Sequence, residues 1–136
     1  DKWRSEIRDL TKVTDIIFGN EEEIMSLYDT NILSDAISAA ANEINLCIVT
    51  RGEKGSLIIS SEGVEETPAF MCDKVLDTTG AGDLYAAGFL YGLSNNLRLY
   101  ECAQLGSFCA SQVISLLGPR PSSNLAELAK DEGLLV

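Results

Sequence analysis

The sequence contains no histidine. That removes the commonest general base and the commonest zinc ligand, so any proton transfer falls to a carboxylate, Lys, Tyr or Cys. Positive charge is scarce: 10 Lys and Arg against 21 Asp and Glu leave a net charge of -11. This excludes a general affinity for nucleic acid or for an anionic membrane. A nucleotide site is not excluded, because a few backbone N–H groups can hold a phosphate inside an acidic protein. No Cys-x-x-Cys pair occurs among Cys47, Cys72, Cys102 and Cys109. On a helix, Cys102 and Cys109 would stand two turns apart, roughly 10 Å, too far for a disulfide. The four cysteines therefore read as buried free thiols of a cytoplasmic protein. The longest run of apolar residues and glycine, Leu84 to Leu93, is about half the length of a membrane span. No segment reads as a signal peptide. There is no initiator Met either, and Asp1-Lys-Trp-Arg4 opens inside what reads as a helix. The expectation is a fragment of a longer protein.

What is present is a globular composition. The 136 residues are 46% hydrophobic, with charge spread along the chain, enough for one domain with a real core. Trp3 to Lys12 is amphipathic and reads as a helix. Asp15 to Phe18 reads as a buried strand ending at Gly19-Asn20, followed by helical patterns over 21–28 and 32–44. Leu46 to Thr50 is a second buried strand, stopped by Arg51-Gly52-Glu-Lys-Gly55. Ser56 to Ser60 and Val64 to Pro68 form a hairpin around Ser61-Glu-Gly63. Phe70-Met-Cys72 adds a short strand, and helices are expected over 80–93, 99–117 and from Ser122 or Ser123 to Glu132. Crossovers between apolar strands give an α/β layered sheet with helices on its faces.

Asp77-Thr-Thr-Gly-Ala-Gly-Asp83 is the segment richest in chemistry. It lies where an extended stretch meets the start of an apolar helix. Two glycines around one alanine remove the bulk that would hold a phosphate away from the backbone. Successive N–H groups can point at one anion there, and the helix dipole favours negative charge at the same end. Asp83, in the first turn, is placed to accept a hydroxyl proton beside a bound phosphate. The purely structural reading is a cap by Thr78 or Thr79, with Asp83 complementing the dipole. Other phosphate motifs fail: there is no GxxxxGK[ST], and Tyr85 stands where the dinucleotide fingerprint needs Gly or Ala.

The longer stretch from Asp77 through Leu84-Tyr-Ala-Ala-Gly-Phe89 resembles the C-terminal signature of the ribokinase-like (PfkB) carbohydrate and nucleoside kinases. The resemblance implies that Gly80, Ala81 and Gly82 form an anion hole for the transferred phosphoryl group and that Asp83 is the catalytic base. Three further segments fit in family order. Asn20-Glu-Glu-Glu23 reads by itself as a capping box; it also resembles the family's Asn-x-x-Glu motif, which would make Glu23 an organiser of Mg²⁺ through its waters. Thr50-Arg-Gly-Glu-Lys-Gly55 reads as a Gly-rich turn at the carboxyl end of a strand, where ligands of open sheets gather. It is similar to the Thr-x-Gly stretch that lies along the ATP phosphates and ribose, implying Thr50, Gly52 and Gly55, with Arg51 and Lys54 read as solvated. Gly118-Pro-Arg-Pro-Ser122 punctuates a helix end and resembles the segment that closes over the nucleotide. In members that use a monovalent cation, the positions matching Asp77, Thr79, Gly118 and Ser122 supply oxygen ligands, so K⁺ is an expected ion. The helix from Leu99 would lie beside adenine, with Gly106 and Ala110 among its small residues, whose alternative reading is core packing. Gly88-x-x-x-Gly92 reads as a close helix contact.

The resemblance covers all 136 residues and corresponds to the C-terminal, ATP-binding portion of a ribokinase-like fold. The N-terminal acceptor and lid portion has no counterpart. The expectation is an ATP-dependent kinase, with Mg²⁺, acting on an alcohol of a sugar or nucleoside, adenosine preferred. The fragment alone is expected to be inactive, and a homodimer is an expectation for the full-length protein. The rival is a non-catalytic nucleotide-binding module of the same fold.

Overall fold

Apolar runs of four or five residues bounded by turn signals alternate with helical patterns along the chain, and each becomes an element of its own. A computed structural model describes residues 2–118 and 120–136. The helix α1 (Lys2–Thr11) leads into the strand β1 (Ile16–Asn20). Then come α2 (Glu21–Leu27), α3 (Leu33–Glu43), β2 (Leu46–Thr50) and a 3₁₀ turn (Gly52–Lys54). The hairpin β3 (Ser56–Ser60) and β4 (Gly63–Thr67) precedes α4 (Ala81–Ser94), α5 (Leu99–Ile114) and α6 (Leu125–Asp131). The chain forms two compact units: residues 1–52 with 56–66, and residues 53–55 with 67–136.

In the first unit the strands lie in the order β1-β2-β3-β4. β1 and β2 are parallel, joined by the α2–α3 crossover, and β2 and β3 are antiparallel. Cys47 pairs with Ile59 and Val49 with Leu57, so these four point to one face. There they meet Ile24 of α2 and Ala36, Ala40 and Ile44 on and after α3 in one core. The small Ala36 and Ala40, both fully buried, let α3 sit close to the sheet. β1 is half-buried from Ile16 to Gly19 rather than buried as expected; among the described residues it has a sheet neighbour on one side only. A groove of about 770 Å³ between α1, β1 and α2 is lined by Trp3, Ile7, Leu10, Ile17, Phe18 and Leu27, among others.

In the second unit α4 and α5 pack through glycines. A Cβ on Gly88 would come within 2.9 Å of the Gly106 Cα and the Cys109 Sγ, and one on Gly92 within 3.2 Å of the Cys102 Cα. Gly88 and Gly92 are thus the close helix contact read from the sequence. Cys47, Cys102 and Cys109 are buried free thiols, whereas Cys72 is half-exposed, contrary to expectation. Burial pushes the Cys47 thiol up to about 11 and raises Cys102 and Cys109 as well, so these three are packing residues of low reactivity.

Three elements differ from expectation because a polar group found another partner, and the cap of α4 differs from its purely structural reading. Phe70-Met-Cys72 is irregular, not a strand. The Phe70 N–H is held by Ser107 Oγ at 2.7 Å, with the Phe70 ring edge-on to Phe108. α5 stops at Ile114 instead of Leu117. The Ile114 carbonyl, which would bond the Gly118 N–H in a continuing helix, instead accepts from Leu76 and Asp77 at 2.8 and 3.3 Å. α6 begins at Leu125 because Asn124 caps it, its side chain accepting from the Ala126 N–H. α4 is capped neither by Thr78 nor by Thr79: its N-cap is Gly80, with φ 79 and no side-chain cap.

Candidate phosphoryl-transfer site

The start of α4 is built by one glycine in a left-handed conformation. Gly80 at φ 79 occupies a backbone region that side-chain-bearing residues enter only at a cost of about 1–2 kcal/mol. The turn closes with the Ala81 N–H donating to the Thr78 carbonyl at 3.1 Å, and the first helical bond runs from the Leu84 N–H to the Gly80 carbonyl at 2.9 Å. The N–H groups of Gly82 and Asp83 therefore have no intrahelical acceptor, as at any helix start. A Cβ built on Gly82 would meet nothing within 4 Å. Packing does not require a glycine there; it leaves the approach to the backbone open. Asp83, the third helical residue, is exposed. An anion on the Gly82 and Asp83 amides would lie beside the Asp83 carboxylate, which is what proton abstraction next to a phosphoryl group requires.

Asp77 sets the entry to this turn. Its Oδ1 accepts from the Thr79 N–H at 2.9 Å and its Oδ2 from the Gly118 N–H at 3.2 Å. The Thr79 hydroxyl, the Thr79 N–H and the Gly118 N–H, in that order, hold the Asp77 carboxyl below the usual carboxylate range. Three of the four residues expected at a K⁺ site, Asp77, Thr79 and Gly118, are thereby joined by hydrogen bonds. Ser122 is exposed in the loop before α6. Of the closing segment 118–122, Pro119 lies outside the described residues.

The carboxyl ends of β1 and β2 carry the remaining motifs of the first unit. Asn20 and Thr50 are register partners at the ends of the two parallel strands. The Asn20 side chain accepts from the Glu23 N–H at 2.9 Å, and Glu23 Oε2 accepts from the Asn20 N–H at 2.8 Å. The capping box is real, and it orients the Glu23 carboxylate at the sheet end. Magnesium keeps several waters and needs only one or two protein carboxylates, so a carboxylate fixed through one oxygen fits a water-mediated role. Among the described residues no group of three or more His, Cys, Asp or Glu could form an all-protein metal site. Arg51 is not solvated as expected: its side chain is 14% exposed and pairs with Glu66 of β4 at 3.1 Å. Lys54 is exposed.

The glycines of the Thr50–Gly55 turn divide by cause. Gly55, at φ 88, is buried, and a Cβ would fall 1.9 Å from the Thr67 carbonyl oxygen. Gly52, at φ 58, has nothing within 4 Å. Replacing Gly55 with Ala should therefore cost about 3–5 kcal/mol, left-handed strain plus overpacking, and Gly52→Ala only about 1 kcal/mol. Thermal denaturation of the two variants checks this, and equal midpoints would contradict it. On α5, a Cβ at Gly106 would meet the Tyr85 carbonyl at 2.7 Å, so helix packing accounts for that glycine; Ala110 is half-buried. The sequence reading missed Ser107 as a tether and Arg51 as an ion-paired residue. Glu66 is exposed like the rest of β4 before Thr67, so no local signal marked the Arg51 pair.

The family model of the pfkB family carbohydrate kinases matches residues 1–125. The chain belongs to the pfkB family. A crystal structure of a probable sugar kinase from Rhizobium etli CFN 42 superposes with a TM-score of 0.94 at 39% identity, over 99% of this chain and 42% of that one. The adenosine kinase of Sinorhizobium meliloti gives a TM-score of 0.92, also at 39% identity, over 96% of this chain and 41% of that one. The nucleoside kinase of Methanocaldococcus jannaschii is 35% identical over 105 residues, 77% of this chain and 34% of the relative. This pfkB chain thus spans about two fifths of the solved kinases it matches. It shares their mixed α/β, ribokinase-type architecture, and no helix among its described residues is long and apolar enough to cross a membrane.

Proposed function

We propose that this chain is the C-terminal, nucleotide-binding portion of an ATP-dependent kinase that phosphorylates an alcohol of a nucleoside or sugar. The observation that carries the reading is the start of α4: a left-handed Gly80 cap, an unobstructed Gly82 and an exposed Asp83 in one turn. In this reading Asp83 takes the proton of the acceptor hydroxyl as its oxygen attacks the γ-phosphorus, and the bond from that phosphorus to the bridging oxygen of ADP breaks. The Gly80-Ala81-Gly82 turn holds the equatorial oxygens of the transferred group, chiefly through the Gly82 and Asp83 amides, where charge accumulates. Glu23 would hold waters of a bound Mg²⁺, whose contribution is to neutralise phosphate charge. Thr50 and Gly52 would border the nucleotide, and Thr79, Gly118, Ser122 and the main-chain carbonyl of Asp77, whose carboxylate oxygens are taken by amides, would contribute oxygens to K⁺.

The likeness to an adenosine kinase at 39% identity supports a purine nucleoside as acceptor. The test is the kcat/KM of full-length protein for adenosine against ribose and fructose, with ATP, Mg²⁺ and either K⁺ or Na⁺. The expected result is an adenosine preference of at least about 10-fold, equivalent to 1.4 kcal/mol in the transition state. A preference for a free sugar would redirect the acceptor assignment.

A further inference from the structure

We propose that Asp77 is a positioning residue that couples the phosphate-binding turn to the end of α5 through the protein's own amides. The inference rests on the phosphoryl-transfer reading of Gly80–Asp83 and extends it to a residue that touches neither reactant. A helix continuing past Ile114 would bond the Gly118 N–H to the Ile114 carbonyl. Here the segment at residues 76 and 77 separates that pair and satisfies both halves. Leu76 and Asp77 donate their N–H groups to the Ile114 carbonyl, and the Asp77 carboxylate receives the Gly118 N–H. The second carboxylate oxygen receives the Thr79 N–H, one residue before the left-handed Gly80. The main chain at 76 and 77 thus ends α5, and the Asp77 carboxylate ties the Gly118 amide beyond that end to the backbone that aims the Gly82 and Asp83 amides. Hydrogen bonds to an ionised acceptor are the stronger kind, and a misplacement of about 1 Å at such a turn costs on the order of 100-fold in rate.

Asn at this position can accept one N–H through its carbonyl but presents an NH₂ group to the other. It should act as a partial replacement, and Ala as none. The experiment compares Asp77→Ala and Asp77→Asn with wild-type full-length kinase, by amide hydrogen exchange and by steady-state kinetics. In Asp77→Ala the Thr79 and Gly118 amides should exchange at least about 10-fold faster, while amides in the middle of α5 keep their wild-type rates. The kcat should fall about 10- to 100-fold with both KM values within about 3-fold, Asp77→Asn falling between. The loss should be of the same size in K⁺ and in Na⁺. Unchanged exchange at both amides overturns the proposal whether or not the protein is a kinase. So does wild-type kcat in a variant whose two amides have become fast, or a loss confined to K⁺, which would assign the carboxylate to the cation. An absence of turnover in wild-type protein removes the kinase reading and leaves the exchange result to decide the Asp77 coupling.

Discussion

Asparagine at position 83 of the full-length protein should lower the proposed kinase's kcat by about 10³-fold and leave ATP affinity within a few-fold. Asn is nearly isosteric with Asp, so the exposed first-turn position of Asp83 keeps its shape and its backbone N–H. What disappears is the only group of that turn able to take a proton, in a chain with no histidine to substitute for it. An effect on kcat alone places the interaction in the transition state, whereas an equal rise in KM at constant kcat would assign Asp83 to binding. The variant's thermal midpoint should stay close to wild type, because the side chain packs on nothing that the fold depends on. Near-normal turnover would remove Asp83 from the base role.

Alanine at Gly82 should separate stability from activity. The position is helical and a Cβ there meets nothing within 4 Å, and glycine in a helix costs roughly 0.5–1 kcal/mol relative to alanine. The variant should therefore be as stable as wild type or slightly more so. The same methyl group would stand where, in the proposed function, a phosphoryl oxygen approaches the amides, and kcat should then fall about 100-fold. Denaturation and kinetics on one preparation check both halves. If Gly82→Ala gains stability and keeps full activity, the turn does not cradle phosphate.

Most of the fold was legible because it is local. Strands of four or five apolar residues and the Ser61-Glu62 hairpin turn carry their own signals, and so does the Asn20–Glu23 capping box. The Gly80–Asp83 turn was legible as a local structure for the same reason, since its glycines and Asp83 are contiguous in sequence. What stayed hidden depends on partners far along the chain. Nothing near Phe70 announces that Ser107 will take its N–H at 2.7 Å, so a short strand was the natural reading. The cation-site resemblance put Asp77 near Gly118, but nothing near Leu117 announces that the main chain at 76 and 77 will take the Ile114 carbonyl and end the helix early. The threonines before α4 looked like caps because cap propensity ranks Thr above most residues. The structure instead uses Gly80, which leaves the helix start without a side-chain oxygen over its amides. Gly55 and Gly106 show the converse: glycines that fit a nucleotide motif are also demanded by a carbonyl, that of Thr67 or Tyr85, too close for any Cβ.

The measurement that bears most directly on the central claim is transfer of a labelled γ-phosphoryl group from ATP to a panel of nucleosides and sugars by full-length protein, with ATP binding measured in parallel. The phosphoryl-transfer reading expects a phosphorylated alcohol from at least one member of the panel, formed at a rate that collapses in Asp83→Asn. ATP binding at wild-type affinity with no phosphorylated product from any member would contradict it and make this fold a nucleotide-binding module without turnover.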